Sequence, residues 1–255
     1  MIFDTHAHYN SEQFDEDRDA ILASMPEGGV ELIMNACSNL GEIPGITELC
    51  ERYSFVYGSV GIHPEDVEGL SEDYLDKLRE YSKHPKIKAI GEIGLDYYWT
   101  VETKSEQQRI LGEQVDLARE LKLPVIIHDR EAHGDTIRIL KEHKVWECGG
   151  VFHCYSGSAE MVREVTEELD MYIGFGGALT FKNAKKPRVA AAAVPLDRLL
   201  IETDCPYMAP VPYRGKRNSS LYLPEVVKLL AEIKGMTAAD IERITNENGR
   251  RLFSI

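Results

Sequence analysis

The sequence lacks several features that would place it in a particular class of protein. No apolar run approaches the length of about 18 residues that a membrane-spanning helix needs. The first residues, Met1 to His6, have neither the basic nor the apolar region of a secretory signal, so we expect a cytoplasmic protein. No linker, internal repeat or low-complexity tract divides the chain. These absences indicate a single domain spanning residues 1–255 that has no membrane partner.

Cysteine is scarce and shows no pattern. The 5 cysteines are odd in number and form no Cys-x-x-Cys pair, so neither a disulfide framework nor a structural zinc knuckle is expected. Cys154 and Cys205 each stand beside a candidate metal ligand. Small buried thiols that fill apolar space are the simpler interpretation of both.

Positive charge is also in short supply. The chain has 29 Lys and Arg against 43 Asp and Glu, which gives a formal net charge of −14. A protein that grips duplex DNA through many phosphates is normally basic. Any nucleic acid must therefore be held by a small part of the surface.

The chain does contain short β-rich runs that alternate with longer amphipathic stretches. Several runs are almost entirely apolar, as in parallel strands that are covered on both faces. The eight predicted strands are residues 2–4, 31–34, 55–60, 87–92, 125–128, 150–153, 171–175 and 199–202. The clearest helices are predicted at 106–121, 221–233 and 238–252, where apolar residues recur at helical spacing. Thr237 precedes the last helix as in a capping box.

This alternation predicts βαβ units and a parallel sheet. Eight units in 255 residues favour a closed (β/α)8 barrel, the TIM-barrel fold, over the alternative of an open doubly wound sheet. Active sites of this fold lie at the C-terminal ends of the strands. The side chains that follow each strand are therefore the candidates for function.

Polar residues are concentrated at these predicted strand ends. Of the 8 histidines, five lie there, together with two carboxylates. One histidine at a strand end is more often a hydrogen-bonded core residue, but the joint placement of the whole set favours a metal site. The candidate ligands are His6, His8, Glu92, His128, His153 and Asp204.

Four imidazoles and two carboxylates are more than one catalytic zinc binds, and they suit two divalent ions. We expect Glu92 to bridge the ions and Asp204 to complete one coordination sphere and act as the base for an activated water. Two such ions exceed the charge of the two carboxylates, which favours an anionic substrate such as a phosphodiester. The remaining ligands are expected to form two pairs, His6 with His8 and His128 with His153.

Six motifs occur in one order along the chain: Phe3-Asp4-Thr5-His6-Ala7-His8, Gly61-Ile62-His63-Pro64, Gly91-Glu92-Ile93-Gly94-Leu95-Asp96-Tyr97, Ile127-His128, Phe152-His153-Cys154-Tyr155-Ser156-Gly157 and Leu200-Ile201-Glu202-Thr203-Asp204-Cys205-Pro206-Tyr207. Together they resemble the TatD-type deoxyribonucleases of the amidohydrolase superfamily, from Phe3 to the last helix. The resemblance implies a (β/α)8 barrel, metal ligands at the six positions named above, and hydrolysis of DNA, often as a 3′-to-5′ exonuclease. Tyr155 departs from a common phenylalanine and Cys205 from a common serine, and neither is a ligand position.

Further residues are candidates with open alternatives. Glu202 is expected to hold an extra ion, orient a ligand or replace Asp204 as the base, unless it is a rim carboxylate paired with a lysine. His63 is expected to touch substrate or donate to a ligating carboxylate, unless it only shapes its loop. Basic and aromatic residues after the strands are expected to bind substrate, namely Arg130, Tyr155, Arg214, Lys216 and Arg217.

The sequence thus predicts a monomeric deoxyribonuclease that acts on single-stranded DNA or strand ends. It would use two divalent ions per chain, chosen from Mg, Mn, Zn or Ni. The main alternative is a small-molecule amidohydrolase, esterase or lactonase with the same metal ligands, which would not need the basic cluster of Arg214, Lys216 and Arg217. A metal-binding interaction protein is disfavoured because no candidate ligand is missing.

Overall fold

The computed structural model describes the whole chain, Met1 to Ile255. Eight strands follow one another along the sequence, each separated from the next by helical structure. The strands are β1 (Ile2–Ala7), β2 (Val30–Asn35), β3 (Val56–Val60), β4 (Ile87–Asp96), β5 (Val125–Arg130), β6 (Gly150–Phe152), β7 (Tyr172–Phe175) and β8 (Leu199–Ile201).

Nine α-helices surround the sheet, two of them after the last strand. They are α1 (Arg18–Ala23), α2 (Ile43–Arg52), α3 (Tyr74–Tyr81), α4 (Lys104–Leu121), α5 (His133–Glu142), α6 (Ala159–Arg163), α7 (Lys185–Ala193), α8 (Leu223–Lys234) and α9 (Ala238–Phe253). Thr237 caps α9, since its Oγ1 accepts the backbone N–H of Asp240 at 3.1 Å. No helix is both long and apolar enough to span a membrane.

All neighbouring strands are parallel and pair in sequence order from β1 to β8. The seam between β8 and β1 is joined by a parallel bridge between Ala7 and Cys205. At this seam the backbone N–H of Asp204 donates to the carbonyl of His6 at 2.9 Å. The predicted (β/α)8 barrel is therefore confirmed.

Apolar residues on the two faces of the strands form two separate cores. In β2, Leu32 and Met34 belong to a small cluster inside the barrel, whereas Ile33 belongs to the large cluster between sheet and helices. Phe253 of α9 packs against Phe3 at a ring-centroid distance of 5.9 Å and joins the inner cluster. Both faces are thus apolar, which explains why the strands read as nearly continuous hydrophobic runs.

Strand ends differ from the predictions at positions that affect the site. β4 continues four residues further than predicted, to Asp96, and Gly94 makes this possible. Its φ is +155°, and a Cβ there would overlap the carbonyl oxygen of His128, its partner on β5. β6 and β8 are shorter than predicted, so His153 and Glu202 lie just beyond them.

Candidate metal centre

The C-terminal ends of the strands surround one cavity of about 1180 Å³. His6 lies below it, fully buried in β1. The other predicted ligands line it, and so does the predicted substrate residue Arg130. The ligands lining the cavity are His8, Glu92, His128, His153 and Asp204. The structure therefore brings together all six side chains that the sequence singled out as ligands.

Glu92 lies at the centre of the cluster with its two carboxylate oxygens facing different histidines. Its Oε2 is 3.1 Å from Nε2 of His6 and 3.5 Å from Nε2 of His8. Its Oε1 is 2.9 Å from Nδ1 of His128 and 2.7 Å from Nε2 of His153. Each carboxylate oxygen thus faces one of the two predicted pairs, and the pairs are in contact, since the rings of His6 and His153 stack at a centroid distance of 4.1 Å.

Within each pair, imidazole nitrogens face each other directly. Nε2 of His6 is 3.0 Å from Nε2 of His8, and Nδ1 of His128 is 3.3 Å from Nε2 of His153. The remaining nitrogens of two rings, Nδ1 of His6 and Nδ1 of His153, are buried and have no hydrogen-bond partner. The nitrogens that face Glu92 are different atoms, and their convergence beside a carboxylate fits a bound divalent cation.

Asp204 stands beside the first pair. Its Oδ1 is 3.4 Å from Nε2 of His8 and 3.7 Å from Nε2 of His6. Burial alone would raise its pKa, but the hydrogen bond with His8 and the nearby imidazoles hold the pKa of Asp204 below its usual value. The side chain is therefore ionised near neutral pH and available as a ligand or a base.

Burial and charge act in opposite directions on the innermost groups. Burial lowers the pKa of His6 to about 4, and the neighbouring His153 acts in the same direction. Burial also opposes ionisation of Glu92, but the imidazoles around it hold the pKa of Glu92 well below its usual range. The centre therefore contains a neutral imidazole next to an ionised carboxylate, which are the protonation states that metal ligands require.

Two other histidines hold protons tightly when no cation is present. Burial lowers the pKa of His8, but the hydrogen bond with Asp204 and the charge of Glu92 outweigh burial and raise it to about 9. Burial also lowers the pKa of His128, and its hydrogen bonds with Asp96 and Glu92 raise it to about 10. A metal ion that binds here must therefore displace protons.

His63 reaches the same centre from the loop after β3. Its Nε2 is 3.4 Å from Oε1 of Glu92, and its ring meets that of His128 at a centroid distance of 4.5 Å. Ligand atoms of His63, Glu92 and His128 lie within 4.8 Å of one another. Its Nδ1 accepts the backbone N–H of Glu65 at 3.2 Å, which also gives His63 a role in shaping the loop.

Glu202 is not a rim carboxylate. It is completely buried, and its Oε1 accepts the backbone N–H of Cys154 and lies 3.7 Å from Nδ1 of His153. Its Oε2 has no hydrogen-bond partner. Burial raises the pKa of Glu202 to about 8. The alternative of a surface pair with a lysine is therefore wrong, and Glu202 lies behind His153 rather than in the cavity.

Asp96 is a site residue that the sequence analysis did not select. Its Oδ2 is 3.0 Å from Nε2 of His128, on the side of the ring away from Glu92. The sequence feature that could have identified it is the position of an acidic residue four places after Glu92, inside an otherwise apolar stretch. It was missed because the strand was expected to end at Glu92, which would have left Asp96 in a loop.

Four of the six predicted substrate residues do not line the cavity, whereas His63 and Arg130 do. Tyr155 is buried among Phe152 and Phe175, and its hydroxyl donates to the carbonyl of Ser158 at 2.9 Å. Its ring therefore belongs to the core, because the turn after β6 directs it away from the mouth. The expectation that Tyr155 contacts substrate is corrected on this ground.

The basic cluster after β8 also lies outside the cavity. Arg217 forms a salt bridge with Asp17 at 2.5 Å and donates to the carbonyl of Gln13 at 2.6 Å. The guanidinium of Arg214 lies 4.4 Å from the ring centroid of Phe181, and Lys216 is exposed. Arg217 is therefore engaged within the protein, whereas Arg214 and Lys216 remain on an outer surface.

Acidic side chains outnumber lysine and arginine in the cavity wall. Arg130 is the one lysine or arginine side chain in its lining, and it lies on the β4–β5 side near Trp99. Asp129 adjoins Arg130 itself, and further acidic residues lie in the loops after β1, β2 and β3. They are Glu12, Glu42, Glu65 and Asp66. An anionic ligand therefore has one favourable cationic side chain in the cavity wall, at Arg130, and is repelled by the acidic loops.

A TIM barrel with histidines and carboxylates converging at its mouth defines a class, the metal-dependent hydrolases. Residues 3–254 match the family described as TatD related DNase. The uncharacterized metal-dependent hydrolase YabD of Bacillus subtilis (strain 168) is 45% identical over 255 residues, with 100% of both chains covered. The chain belongs to the TatD related DNase family, and the predicted metal-dependent hydrolase is confirmed.

Two further relatives connect the family to nucleic acids and to a solved structure. The protein named 3′-5′ ssDNA/RNA exonuclease TatD from Cronobacter sakazakii (strain ATCC BAA-894) is 33% identical over 258 residues, with 99% of this chain and 97% of that one covered. The crystal structure of YJJV, a TatD homologue from Escherichia coli K12, superposes with a TM-score of 0.93 at 32% identity. It covers 100% of this chain and 98% of that one.

Proposed function

We propose that this protein is a two-metal phosphodiesterase that removes nucleotides from the end of a single DNA strand. The observation that carries the proposal is the placement of Glu92, whose Oε2 faces His6 and His8 while its Oε1 faces His128 and His153. A single carboxylate with a histidine pair at each oxygen is suited to bridge two ions. The site opens into a cavity that a strand end can enter.

Two divalent ions in this centre would supply Lewis-acid activation of water and of the phosphate oxygens. His6, His8 and Asp204 would hold one ion, His128 and His153 the other, and Glu92 would contact both. Imidazole ligands favour Zn, Mn or Ni, whereas the carboxylates also accept Mg. The two ions would carry more positive charge than Glu92 and Asp204 neutralise. The remaining positive charge favours binding of a phosphate at this end of the cavity.

Asp204 is the residue we assign to proton transfer. It is ionised, it lines the cavity, and its nearest imidazoles are those of His8 and His6, whereas Glu92 lies within 3.5 Å of all four candidate histidines. Its carboxylate takes a proton from the attacking water and returns it to the oxygen that leaves the phosphorus. The hydroxide of the water is thereby added to phosphorus and its proton to the leaving oxygen. The products are a phosphate monoester and an alcohol, and no further reactant is needed.

The distribution of charge in the cavity favours a strand end over the middle of a strand. Arg130 is placed to bind a phosphate, and the exposed ring of Trp99 beside it is placed to stack on a base. The acidic wall formed by Glu12, Glu42, Glu65 and Asp66, in the loops after β1, β2 and β3, repels a polyanion. A continuous strand would have to cross that wall, whereas a terminal nucleotide does not. The exonuclease name of the Cronobacter relative supports the same substrate class.

The test is digestion of end-labelled single-stranded DNA and RNA by protein reconstituted with Mg, Mn or Zn. We expect a ladder that shortens by one nucleotide at a time from the 3′ end. DNA carrying a blocked 3′ end should resist digestion, and Asp204→Asn protein purified in parallel controls for contaminating nucleases. Internal cuts, or equal digestion of blocked and free ends, would overturn the exonuclease proposal.

A second candidate function is hydrolysis of a small amide, ester or lactone with the same ligands. It is favoured by one observation, which is that Arg130 alone among lysines and arginines lines the cavity. Turnover of small esters or lactones by metal-loaded protein that leaves DNA intact would select this candidate over the nuclease.

A further inference from the structure

Asp96 connects two parts of the site through its two carboxylate oxygens. Its Oδ2 lies 3.0 Å from Nε2 of His128. Its Oδ1 accepts the backbone N–H of Tyr98 at 2.8 Å and that of Trp99 at 2.7 Å. The side chain is only 1% exposed, so water does not compete for these contacts. One buried carboxylate thus contacts both a candidate metal ligand and the loop that follows β4.

The orientation of Asp96 is itself fixed. Gln107 of α4 is fully buried, and its Oε1 accepts the backbone N–H of Asp96 at 2.8 Å. Its Nε2 donates to the carbonyl of Asp96 at 3.0 Å and to that of Thr100 at 2.7 Å. Gln107 therefore clamps both ends of the loop segment 96–100, and the carboxylate is held between His128 and the loop.

The contact with Asp96 determines which nitrogen of His128 is available. An ionised carboxylate only accepts hydrogen bonds, so Nε2 of His128 must carry a proton. The lone pair of the neutral ring is then at Nδ1, which faces Oε1 of Glu92 at 2.9 Å and Nε2 of His153 at 3.3 Å. Histidines that bind metals are commonly oriented in this way by a carboxylate behind the ring.

The loop held by the other oxygen carries an aromatic lip, which we define as Tyr98 and Trp99. Their side chains are 54% and 66% exposed, and Trp99 lines the cavity. The guanidinium of Arg130 lies 4.8 Å from the ring centroid of Tyr98, so the lip also orients the one arginine in the cavity lining. Substrate contacts and a metal ligand therefore depend on the same carboxylate.

We propose that Asp96 is a positioning residue with two roles. It fixes the tautomer of His128 for the ion proposed at His128 and His153, called the second ion below, and it anchors the aromatic lip that receives a nucleobase. The proposal rests on the two-ion site proposed above. The proposal assigns a different effect to each carboxylate oxygen of Asp96. Loss of the Oδ2 contact should weaken binding of the second ion, whereas loss of the Oδ1 contacts should weaken binding of the strand.

Two substitutions distinguish these effects. In Asp96→Asn, an amide oxygen still accepts the N–H groups of the lip, but the amide nitrogen donates to Nε2 of His128. That contact shifts the ring proton to Nδ1 and removes the lone pair from the metal side. In Asp96→Ala both contacts are lost. Trp99→Ala removes the stacking surface and leaves His128 untouched.

Zn²⁺ titration by calorimetry measures the first effect without any substrate. We expect Asp96→Asn to weaken the second of two ions by about 10- to 100-fold and to leave the first unchanged. Asp135→Asn is the matched control, because Asp135 bonds with the hydroxyl of the neighbouring Tyr97 but not with the site. Wild-type affinity for both ions in Asp96→Asn would overturn the proposal. Fewer than two ions in the wild type would instead overturn the two-ion site.

KM for a short single strand, measured at saturating metal, tests the second effect. We expect Asp96→Ala and Trp99→Ala to raise KM by a similar factor, and Asp96→Asn to leave it near the wild-type value. An unchanged KM in Asp96→Ala would contradict the anchoring of the lip. Should the variants fail to fold, long-range ¹H–¹⁵N spectra of zinc-loaded wild type report the tautomer directly. A proton on Nδ1 of His128 in those spectra would overturn the proposal.

Discussion

Oδ1 of Asp204 lies 3.4 Å from Nε2 of His8, across the seam where the last strand of the barrel meets the first. Two segments from opposite ends of the chain therefore meet at one pair of atoms. The pair is held by the hydrogen bonds of the seam, including that from the N–H of Asp204 to the carbonyl of His6 at 2.9 Å. Both the proposed base and an adjacent ligand depend on this closure.

Asp204→Asn should remove the proposed base without unfolding the barrel. The amide keeps the size of the side chain but is far less basic, so we expect kcat to fall by at least about 10²-fold. At least one metal ion should remain bound, because His6 and His8 are unchanged. Single-turnover kinetics at saturating metal measure the chemical step. A variant that binds metal and keeps more than about a tenth of kcat would show that the base lies elsewhere.

Metal binding should depend on pH because protons compete for two ligands. His8 and His128 hold protons with pKa values of about 9 and about 10 in the absence of a cation. Below those values each ion must displace a proton, so the apparent affinity should rise as pH increases from about 6 to about 8. Elemental analysis should give about two ions per chain at the higher pH.

The control for the metal prediction is Glu92→Gln, which weakens the bridge while retaining the four histidines. We expect it to bind fewer than two ions. Calorimetry in buffers of different ionisation enthalpy counts the protons released on binding. Metal uptake that is independent of pH, without proton release, would contradict the predicted competition.

Arg130→Ala should raise KM for a DNA strand, because Arg130 is the arginine that lines the cavity. Loss of one charge-assisted contact, worth about 1.5–3 kcal/mol, corresponds to roughly a 10- to 100-fold increase. Hydrolysis of bis-p-nitrophenyl phosphate should change less. The matched comparison is the double variant that combines Arg214→Ala and Lys216→Ala, which removes two positive charges outside the cavity. A larger effect of that pair would show that the outer surface, and not the cavity, holds the strand.

Arg217→Ala should act mainly on stability. Arg217 is bound to Asp17 and to the carbonyl of Gln13, so its removal frees contacts inside the protein. We expect a lower Tm and a nearly unchanged KM. An increase in KM at constant Tm would restore the role predicted from the sequence.

Glu202→Gln should change how stability of the metal-free protein depends on pH. Burial raises the pKa of Glu202 from 4.5 to about 8, so in that interval the folded chain binds a proton that the unfolded chain releases. The free energy of unfolding therefore falls as pH rises from about 4.5 to about 8, because the unfolded chain ionises Glu202 while the folded chain keeps it protonated. Glutamine does not ionise and still accepts the N–H of Cys154.

The measured quantity is the free energy of unfolding in urea, with chelator present, at about pH 5 and about pH 8. We expect the difference between Glu202→Gln and wild type to increase toward the higher pH in favour of the variant. A difference that is the same at both pH values would show that Glu202 is not protonated in the folded protein.

The clustering of the candidate ligands could be predicted from the sequence because it depends on the periodicity of the strands. Each ligand lies at or just after a β-rich run, and parallel strands bring those ends together whatever the exact strand length. His153 illustrates this tolerance, since β6 ends one residue earlier than predicted. Asp96 illustrates its limit, because only the structure shows that β4 continues to it.

Substrate contacts were predicted less well for a physical reason. The direction of a loop side chain depends on distant partners, and the salt bridge between Arg217 and Asp17 joins residues 200 positions apart. Tyr155 follows Cys154, whose φ is +43°, and this turn interrupts the alternation that would have indicated its direction. Neither contact has a local signal in the sequence.

The closure of the barrel between β1 and β8 also links ion binding to the completion of folding. His6 belongs to the first strand and Asp204 follows the last, so a chain that has not yet joined them would lack part of the ion site proposed at His6, His8 and Asp204. Ions that bound only the closed chain would stabilise it by mass action and would connect its first and last strands. A nascent or partly unfolded copy would accordingly be inert, and hydrolytic activity would arise only once the ring of strands is complete.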